Sequence, residues 1–200
     1  MREEFKQIAK ELEEKDVWFR DVLSKKTTID TSLETWSVTR DVAEKLYSLV
    51  LEHKPQHIVE VGMSQGYSTI WLAEAAQTYG GKVTTIEIEE SKIEAARHYF
   101  DQLGFHETIS IFPGNACDVL KEWKQPVDFL FLDAVKREYV TCLSLLDPFI
   151  PVGGIVIADD VIEWRRKLDE FFAYIQEGNR YTGETISLGH GLFIGQKKAS

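Results

Sequence analysis

The stretch HIVEVGMSQGYSTIWLAEAAQTYGGKVTTIEIEE, residues 57–90, decides the fold. Residues 57–62 are a short apolar run that reads as a buried strand. Two glycines follow, Gly62 and Gly66, and residues 67–80 then have helix-forming composition, closed by Gly80 and Gly81. Residues 82–89 return to strand character. Strand, helix and strand in that order make the two strands parallel, with the helix laid on a sheet face. The alternation continues downstream. It predicts a helix over 90–104, a strand over 109–114, a short helix over 116–123 and a strand over 127–133. A helix over about 138–149, a strand over 153–160 and a helix ending near residue 176 follow. The tail TGETISLGHGLFIGQKK carries two β-rich runs around GHG and predicts a terminal hairpin. The expected architecture is α/β: a doubly wound, seven-stranded, mostly parallel Rossmann-like sheet with a C-terminal antiparallel hairpin.

Upstream, the first 24 residues have helix-forming composition, with Phe5, Ile8 and Leu12 on one stripe. TTIDTSLETWS (27–37) breaks that pattern. A second helix is expected from about Leu33 to His53, with Val42, Leu46, Leu49 and Val50 facing inward and Pro55 ending it. The 200 residues suit one domain, with N-terminal helices over 1–54 and a sheet over 55–200 that binds the ligand and carries the chemistry. Hydrophobic residues make up 44% and charged residues 28%, a globular balance. No apolar run is long enough to span a bilayer, and the charged N-terminus lacks a signal-peptide core, so a cytoplasmic location is expected. Cys117 and Cys142 read as buried free thiols. The formal net charge of -10 argues against non-specific nucleic-acid binding, and Arg165, Arg166 and Lys167 read as a solvated helix face.

An open doubly wound sheet binds its ligand beyond the carboxyl ends of its strands, so the residues just after each strand carry the functional reading. After the first strand, Gly62 and Gly66 would let backbone pass close to a ligand, with a helix N-terminus behind them. The three-residue gap between these glycines is not the G-x-G-x-x-G spacing of dinucleotide binders. Glu60 lies inside an apolar strand, where a carboxylate needs a ligand cation or a set of backbone N–H groups. Glu87, 21 residues beyond Gly66, sits where an acid bonds ribose hydroxyls in nucleotide-binding βαβ units. Asn115, Ala116 and Cys117 suit an adenine slot, and Asp118 is expected to cap the short helix. Asp133, Asp159 and Asp160 end two strands 26 residues apart, which would bring three carboxylates to one rim. Their repulsion calls for a cation. An oxygen donor set without clustered histidine or cysteine points to Mg²⁺, Mn²⁺ or Ca²⁺. The plainer alternative makes Asp160 a helix N-cap.

These segments, VEVGMSQGYSTIWLA, IEIEE, GNACDVL, FLDAVKREY, GGIVIADDV and GHGLFIG, fall in order over roughly residues 36–195. Together the chain resembles the class I S-adenosylmethionine-dependent methyltransferases. More narrowly, it resembles the cation-dependent O-methyltransferases, the catechol and caffeoyl-CoA group with its small prokaryotic relatives. The resemblance implies that Glu60, Gly62, Gly66, Tyr67 and Ser68 line the methionine part of S-adenosylmethionine. It implies that Glu87 holds the ribose, that Asn115 and Ala116 flank adenine, and that Asp133 borders the cofactor. It assigns Asp133, Asp159 and Asp160 to a divalent ion, Mg²⁺ or another such as Mn²⁺ or Ca²⁺, and Lys136 to the base that takes the acceptor's proton. Ser37 and Val38 match an N-terminal cofactor contact. The implied activity is methyl transfer to a hydroxyl of a small, catechol-like acceptor.

Two departures stand out. The third metal position is usually Asn in this group and is Asp160 here. Only 40 residues follow Asp160, leaving little room for a substrate-loop insertion, so the pocket would be more open, or completed by the N-terminal helices or a second subunit of a homodimer. Trp36 and Trp164 are candidates for its walls, with core packing the plainer reading. The competing functions are methylation of a hydroxylated tRNA base, a nicotinamide-dependent oxidoreductase, and a non-catalytic cofactor-binding relative.

Overall fold

The computed structural model describes residues 1–23 and 36–199. Short runs of β-branched and aromatic residues form five parallel strands: β1 (His57–Val61), β2 (Lys82–Glu87), β3 (Ile109–Pro113), β4 (Phe129–Leu132) and β5 (Ile155–Ala158). The terminal runs form β6 (Tyr181–Ile186) and β7 (Leu192–Lys197). They pair antiparallel, and β7 pairs antiparallel with β5. The seven strands lie in the order β3-β2-β1-β4-β5-β7-β6. The expected fold class is the one observed.

Each central strand is buried on both faces, and its two-residue period deals side chains to two cores. On one face Ile58, Val83, Phe129, Phe131, Ile155 and Ile157 meet α1 (Glu3–Leu23), α2 (Arg40–His53), α3 (Tyr67–Gln77) and α4 (Glu90–Gln102). On the other, Val59, Val61, Leu130, Leu132, Val156 and Ala158 meet α5 (Ala116–Lys121), α6 (Tyr139–Leu146) and α7 (Asp169–Gln176). The stripe Phe5, Ile8 and Leu12 of α1 is buried as its spacing implies, and so are Val42, Leu46, Leu49 and Val50 of α2. Cys142 is buried and Cys117 half-buried, both as free thiols. No helix among the described residues is long and apolar enough to cross a membrane.

Several elements are shorter than the sequence suggests. The helix expected from Leu33 begins at Arg40, and residues 33–35 lie outside the described residues. Residues 27–32 of the pattern-breaking stretch lie outside them as well. α3 stops at Gln77, where the Thr78 hydroxyl donates to the Ala75 carbonyl at 2.7 Å and competes with the helical ladder. The helix expected over 138–149 is divided into a 3₁₀ turn at Lys136–Glu138, α6, and a second 3₁₀ turn at Asp147–Phe149 that contains Pro148. After β5 the chain makes turns and a 3₁₀ segment, Arg165–Lys167, before α7 starts at Asp169.

A buried acid anchors the C-terminal strands. Asp147 accepts from the hydroxyls of Tyr174 and Tyr181 and pairs with Lys197 at 2.9 Å. Burial alone would raise its pKa, but those hydrogen bonds and the lysine charge outweigh it and hold the carboxyl below its usual range.

Gly62 has φ +95°, and a Cβ there would stand 2.1 Å from the carbonyl oxygen of Asp133. The glycine therefore lets the loop after β1 close on the end of β4. Gly62→Ala should destabilise the fold by at least about 2 kcal/mol in urea titration, from left-handed strain plus the clash. Gly80 has φ +84°, and a Cβ there would find open space within 4 Å, so Gly80→Ala is the control for strain without a clash. Gly80→Ala should cost about 1 kcal/mol. Equal losses in the two variants would contradict the close-approach reading.

Candidate active site at the carboxyl rim of the sheet

The residues picked out at the strand ends lie in one row. Gly114, after β3, donates its N–H to the Glu87 carbonyl at 2.8 Å, and Gly62, after β1, donates to the Ile86 carbonyl at 3.0 Å. Asp133, after β4, donates to the Val61 carbonyl at 2.9 Å, and Asp159, after β5, donates to the Leu132 carbonyl at 3.0 Å. The main-chain ladder thus runs from Gly114 through Glu87, Gly62 and Asp133 to Asp159, with Asn115 and Asp160 the next residues at its two ends. Asp133 stands in the middle and belongs to both halves.

In the first half, Glu60 is fully buried, and its partners are not those expected from sequence. The hydroxyls of Ser68 and Thr69 at the start of α3, and of Thr85 on β2, each donate to its carboxylate at 2.6 Å. Glu60 therefore ties α3 to the sheet beneath the glycine loop. Gly66 has φ +87°, and a Cβ there would meet the Phe100 ring at 2.8 Å, so protein packing by itself demands glycine. The Tyr67 hydroxyl reaches back to Glu13 of α1 at 2.6 Å. Glu87 accepts backbone N–H groups from Ser64 at 2.8 Å, Ile88 at 2.8 Å and Glu89 at 3.0 Å. Its carboxylate is thereby fixed at the rim beside the loop, with Oε1 taking Ile88 and Glu89 and acceptor capacity left on Oε2. Asp118 does not cap α5. Asn115 is the N-cap, accepting the Asp118 N–H at 3.3 Å, while the Asp118 side chain takes Lys121 at 2.8 Å. Asn before a helix satisfies the first free N–H groups better than an acid three residues in.

In the second half, Asp133, Asp159 and Asp160 line one open cavity together with Ser37 and Val38. Its remaining walls include Trp36 and Trp164, which are 62% and 37% exposed, so both face the cavity rather than the core. Lys136 stands between the acids, with Nζ 3.0 Å from Asp133 Oδ1, 2.8 Å from Asp160 Oδ2 and 2.8 Å from the Tyr139 hydroxyl. Asp159 is buried, and its Oδ1 has no hydrogen-bond partner among the described residues. Asp160 is not a helix N-cap. It holds φ +61°, an uncommon left-handed conformation, and its side chain is turned to Lys136 and His190.

Of the known protein families, the one described as "Methyltransferase domain" matches residues 59–161, just over half of the chain, and that span holds the whole row. The chain belongs to the methyltransferase-domain family. The match sets aside the nicotinamide-dependent alternative. This methyltransferase-domain chain is 30% identical to a catechol O-methyltransferase of Niastella koreensis, over 67% of this chain and 62% of that one. It is 31% identical to a catechol O-methyltransferase of Mycobacterium tuberculosis, over 54% and 49% of the respective chains. It thus spans about half to three-fifths of the length of these relatives. An O-methyltransferase from Bacillus cereus, solved in complex with SAH, shares the fold at a TM-score of 0.76 and 23% identity, covering 94% of this chain and all of that one.

Sequence reasoning missed His190 and Glu163. Both line the acidic cavity, and His190 Nδ1 lies 3.2 Å from Asp160 Oδ1 and 3.4 Å from Glu163 Oε2. The available signal was a histidine between two glycines, where the hairpin turn meets the loop after β5. Tyr139 was also missed. Its hydroxyl touches Lys136 and donates to the Asp159 carbonyl at 3.3 Å.

The electrostatics of this methyltransferase-domain rim follow from burial. Asp159 is pushed up to about 8 by burial, with the charges of Asp133 and Asp160 adding to it. Asp133 is also raised by burial, against the pull of Lys136. Burial lowers the Lys136 ammonium, but the Asp133 charge, with Tyr139 and Asp160, outweighs it and holds the lysine above its usual range. In this geometry Lys136 is a charged counter-ion. Glu60 is raised to about 7 by burial, against three hydroxyl donors and with the Asp133 charge adding. A carboxyl whose folded pKa lies above its unfolded value stabilises the fold below the unfolded pKa and loses that contribution as pH rises through the folded one. Glu60 therefore contributes stability that is lost as pH rises from about 4.5 to about 7. The melting temperature of Glu60→Gln relative to the native protein should rise with pH over that window. An unchanged slope would contradict the assignment.

Proposed function

We propose that this chain is an S-adenosylmethionine-dependent, divalent-metal-assisted O-methyltransferase that methylates a hydroxyl of a small, planar, catechol-like acceptor. The observation that carries the reading is Asp133. It joins a glycine loop with a ribose-type acid on one side to a cavity holding Asp159, whose buried Oδ1 has no partner among the described residues, on the other. The relatives named catechol O-methyltransferase support the acceptor class.

In this reading Gly62, Gly66, Tyr67 and Ser68 form the methionine side of the cofactor site, with Glu60 stiffening it from below. Glu87 holds the ribose, and Asn115 and Ala116 border adenine. Asp133, Asp159 and Asp160 would hold a hard divalent ion: all three line one cavity and a buried Asp159 oxygen lacks a partner among the described residues, although only Asp160, with Glu163 and His190, already stands at single-ion spacing. When bound, the cofactor supplies an electrophilic methyl group and the ion supplies an oriented hydroxyl of lowered pKa. Trp36 and the face of Trp164 opposite the Lys167 ammonium offer flat apolar surface to an aromatic acceptor. Lys136 is 12% exposed and stands among the reacting groups. It takes the acceptor's proton once the negative charge of Asp133 and Asp160 is engaged elsewhere, since only then does its pKa fall toward the working range.

Calorimetric titration should give binding heat with S-adenosylmethionine and none with NAD. Methyl transfer to catechol should be lost in chelator and restored by Mg²⁺ or Mn²⁺. Lys136→Ala should lower kcat by about 100-fold or more while leaving cofactor affinity within about 3-fold. Turnover indifferent to chelator would remove the ion from the reading, and a Lys136→Ala enzyme of normal kcat would remove the base. If an oligonucleotide carrying a hydroxylated tRNA base is methylated and catechol is not, the acceptor class is wrong and the rest of the site stands.

A further inference from the structure

We propose that His190 and Glu163 join Asp160 as ligands of the rim's metal ion, so that the site takes a first-row transition ion such as Mn²⁺ in preference to Mg²⁺. This rests on the reading of the acidic cavity as a metal site.

The placement of His190 is built into the fold. The hairpin turn holds Gly189 at φ +54° and Gly191 at φ +102°, and a Cβ on Gly191 would run into Ile162 at 2.4 Å. Three backbone hydrogen bonds press this turn on the loop after β5: Val161 N–H to the Gly191 carbonyl at 2.9 Å, and Ile162 and Glu163 N–H to the His190 carbonyl at 3.2 and 3.1 Å. The ring is thereby set over Asp160 and Glu163, and one donor atom from each of the three residues lies within 4.8 Å of the others.

The distances suit an ion. Ligand atoms on neighbouring vertices of an octahedron, each about 2.1 Å from its centre, are about 3 Å apart. His190 Nδ1 stands 3.2 Å from Asp160 Oδ1 and 3.4 Å from Glu163 Oε2. A protonated imidazole carries a single hydrogen on Nδ1 and could serve the two carboxylates only through a divided, weaker hydrogen bond, whereas one cation serves all three atoms at full strength. Asp160 divides its oxygens, Oδ2 toward Lys136 at 2.8 Å and Oδ1 toward His190, which leaves the second oxygen for the ion. The same cavity is lined by Asp159, which is 4% exposed and whose Oδ1 lacks a partner among the described residues. Mg²⁺ prefers an all-oxygen shell, and an imidazole nitrogen shifts preference toward Mn²⁺ and the later ions of the row.

The test uses the full chain stripped by chelator and titrated with Mn²⁺. Pulsed electron paramagnetic resonance should show nitrogen modulation from a coordinated imidazole in the native protein and none in His190→Gln. Mn²⁺ affinity should fall by on the order of 10-fold or more in His190→Gln and in Glu163→Gln, the second keeping the nitrogen signal. Mg²⁺ should displace Mn²⁺ from the native protein only at about 100-fold excess or more. His190 and Glu163 are about half exposed, so neither variant threatens folding. Tight Mn²⁺ binding without nitrogen modulation, or modulation that survives in His190→Gln, would overturn the inference and leave the methyltransferase reading intact. Absence of Mn²⁺ binding in protein that still binds S-adenosylmethionine would overturn both the inference and the metal half of that reading.

Discussion

Negative charge withdrawn from water at the carboxyl rim is the constraint around which this molecule is arranged. Asp133 and Asp159 end adjacent parallel strands, so sheet pairing itself brings their carboxyl groups to one edge. Asp160 joins them through a left-handed turn. Such a group of acids repels itself strongly in a partly desolvated cavity. Lys136 answers part of that repulsion by lying between Asp133 and Asp160. It does not reach the buried Asp159 Oδ1, which stays without a partner among the described residues. Folding alone has no use for that arrangement, since an apolar residue at position 159 would avoid the desolvation.

The rest of the structure serves this rim in two ways. Backbone close approach brings the cofactor-type half against the acidic half, because Gly62 allows the loop after β1 to touch Asp133. The terminal hairpin brings the other side, because β7 inserts antiparallel beside β5 and carries the 189–191 turn onto the loop after β5. Trp36 and Trp164 then give the cavity aromatic walls around charged groups.

The parallel sheet was legible because β4 and β5 read as unbroken apolar runs and β1 as one interrupted only by Glu60, and because each is followed by a charged or glycine-rich break. The acids Asp133, Asp159 and Asp160 were legible for the same reason, since a charge at the end of such a run has no packing explanation. The partners of Glu60 were not, because Ser68, Thr69 and Thr85 come from a helix and a neighbouring strand and look like ordinary surface residues in sequence. His190 was hidden likewise. It meets Asp160 only through the register of β5 against β7, 30 residues away in the chain. Asp118 misled because an acid near a helix start resembles a cap, although Asn115 already occupied that place. Helix ends were overrun where 3₁₀ turns, as at Asp147–Phe149, continue the α pattern in composition.

The central claim is that cofactor and ion occupy the two halves of one rim and meet at Asp133. A crystal structure of the full chain grown with S-adenosylhomocysteine and Mn²⁺ tests it most directly. The account predicts cofactor density against Glu87 and the loop from Gly62 to Gly66. It also predicts an anomalous manganese peak about 2.1 Å from the Asp159 carboxylate. A well-ordered cofactor elsewhere, such as in the cavity between Trp36 and Trp164, or an ordered cofactor with no anomalous peak at the acids, would contradict it.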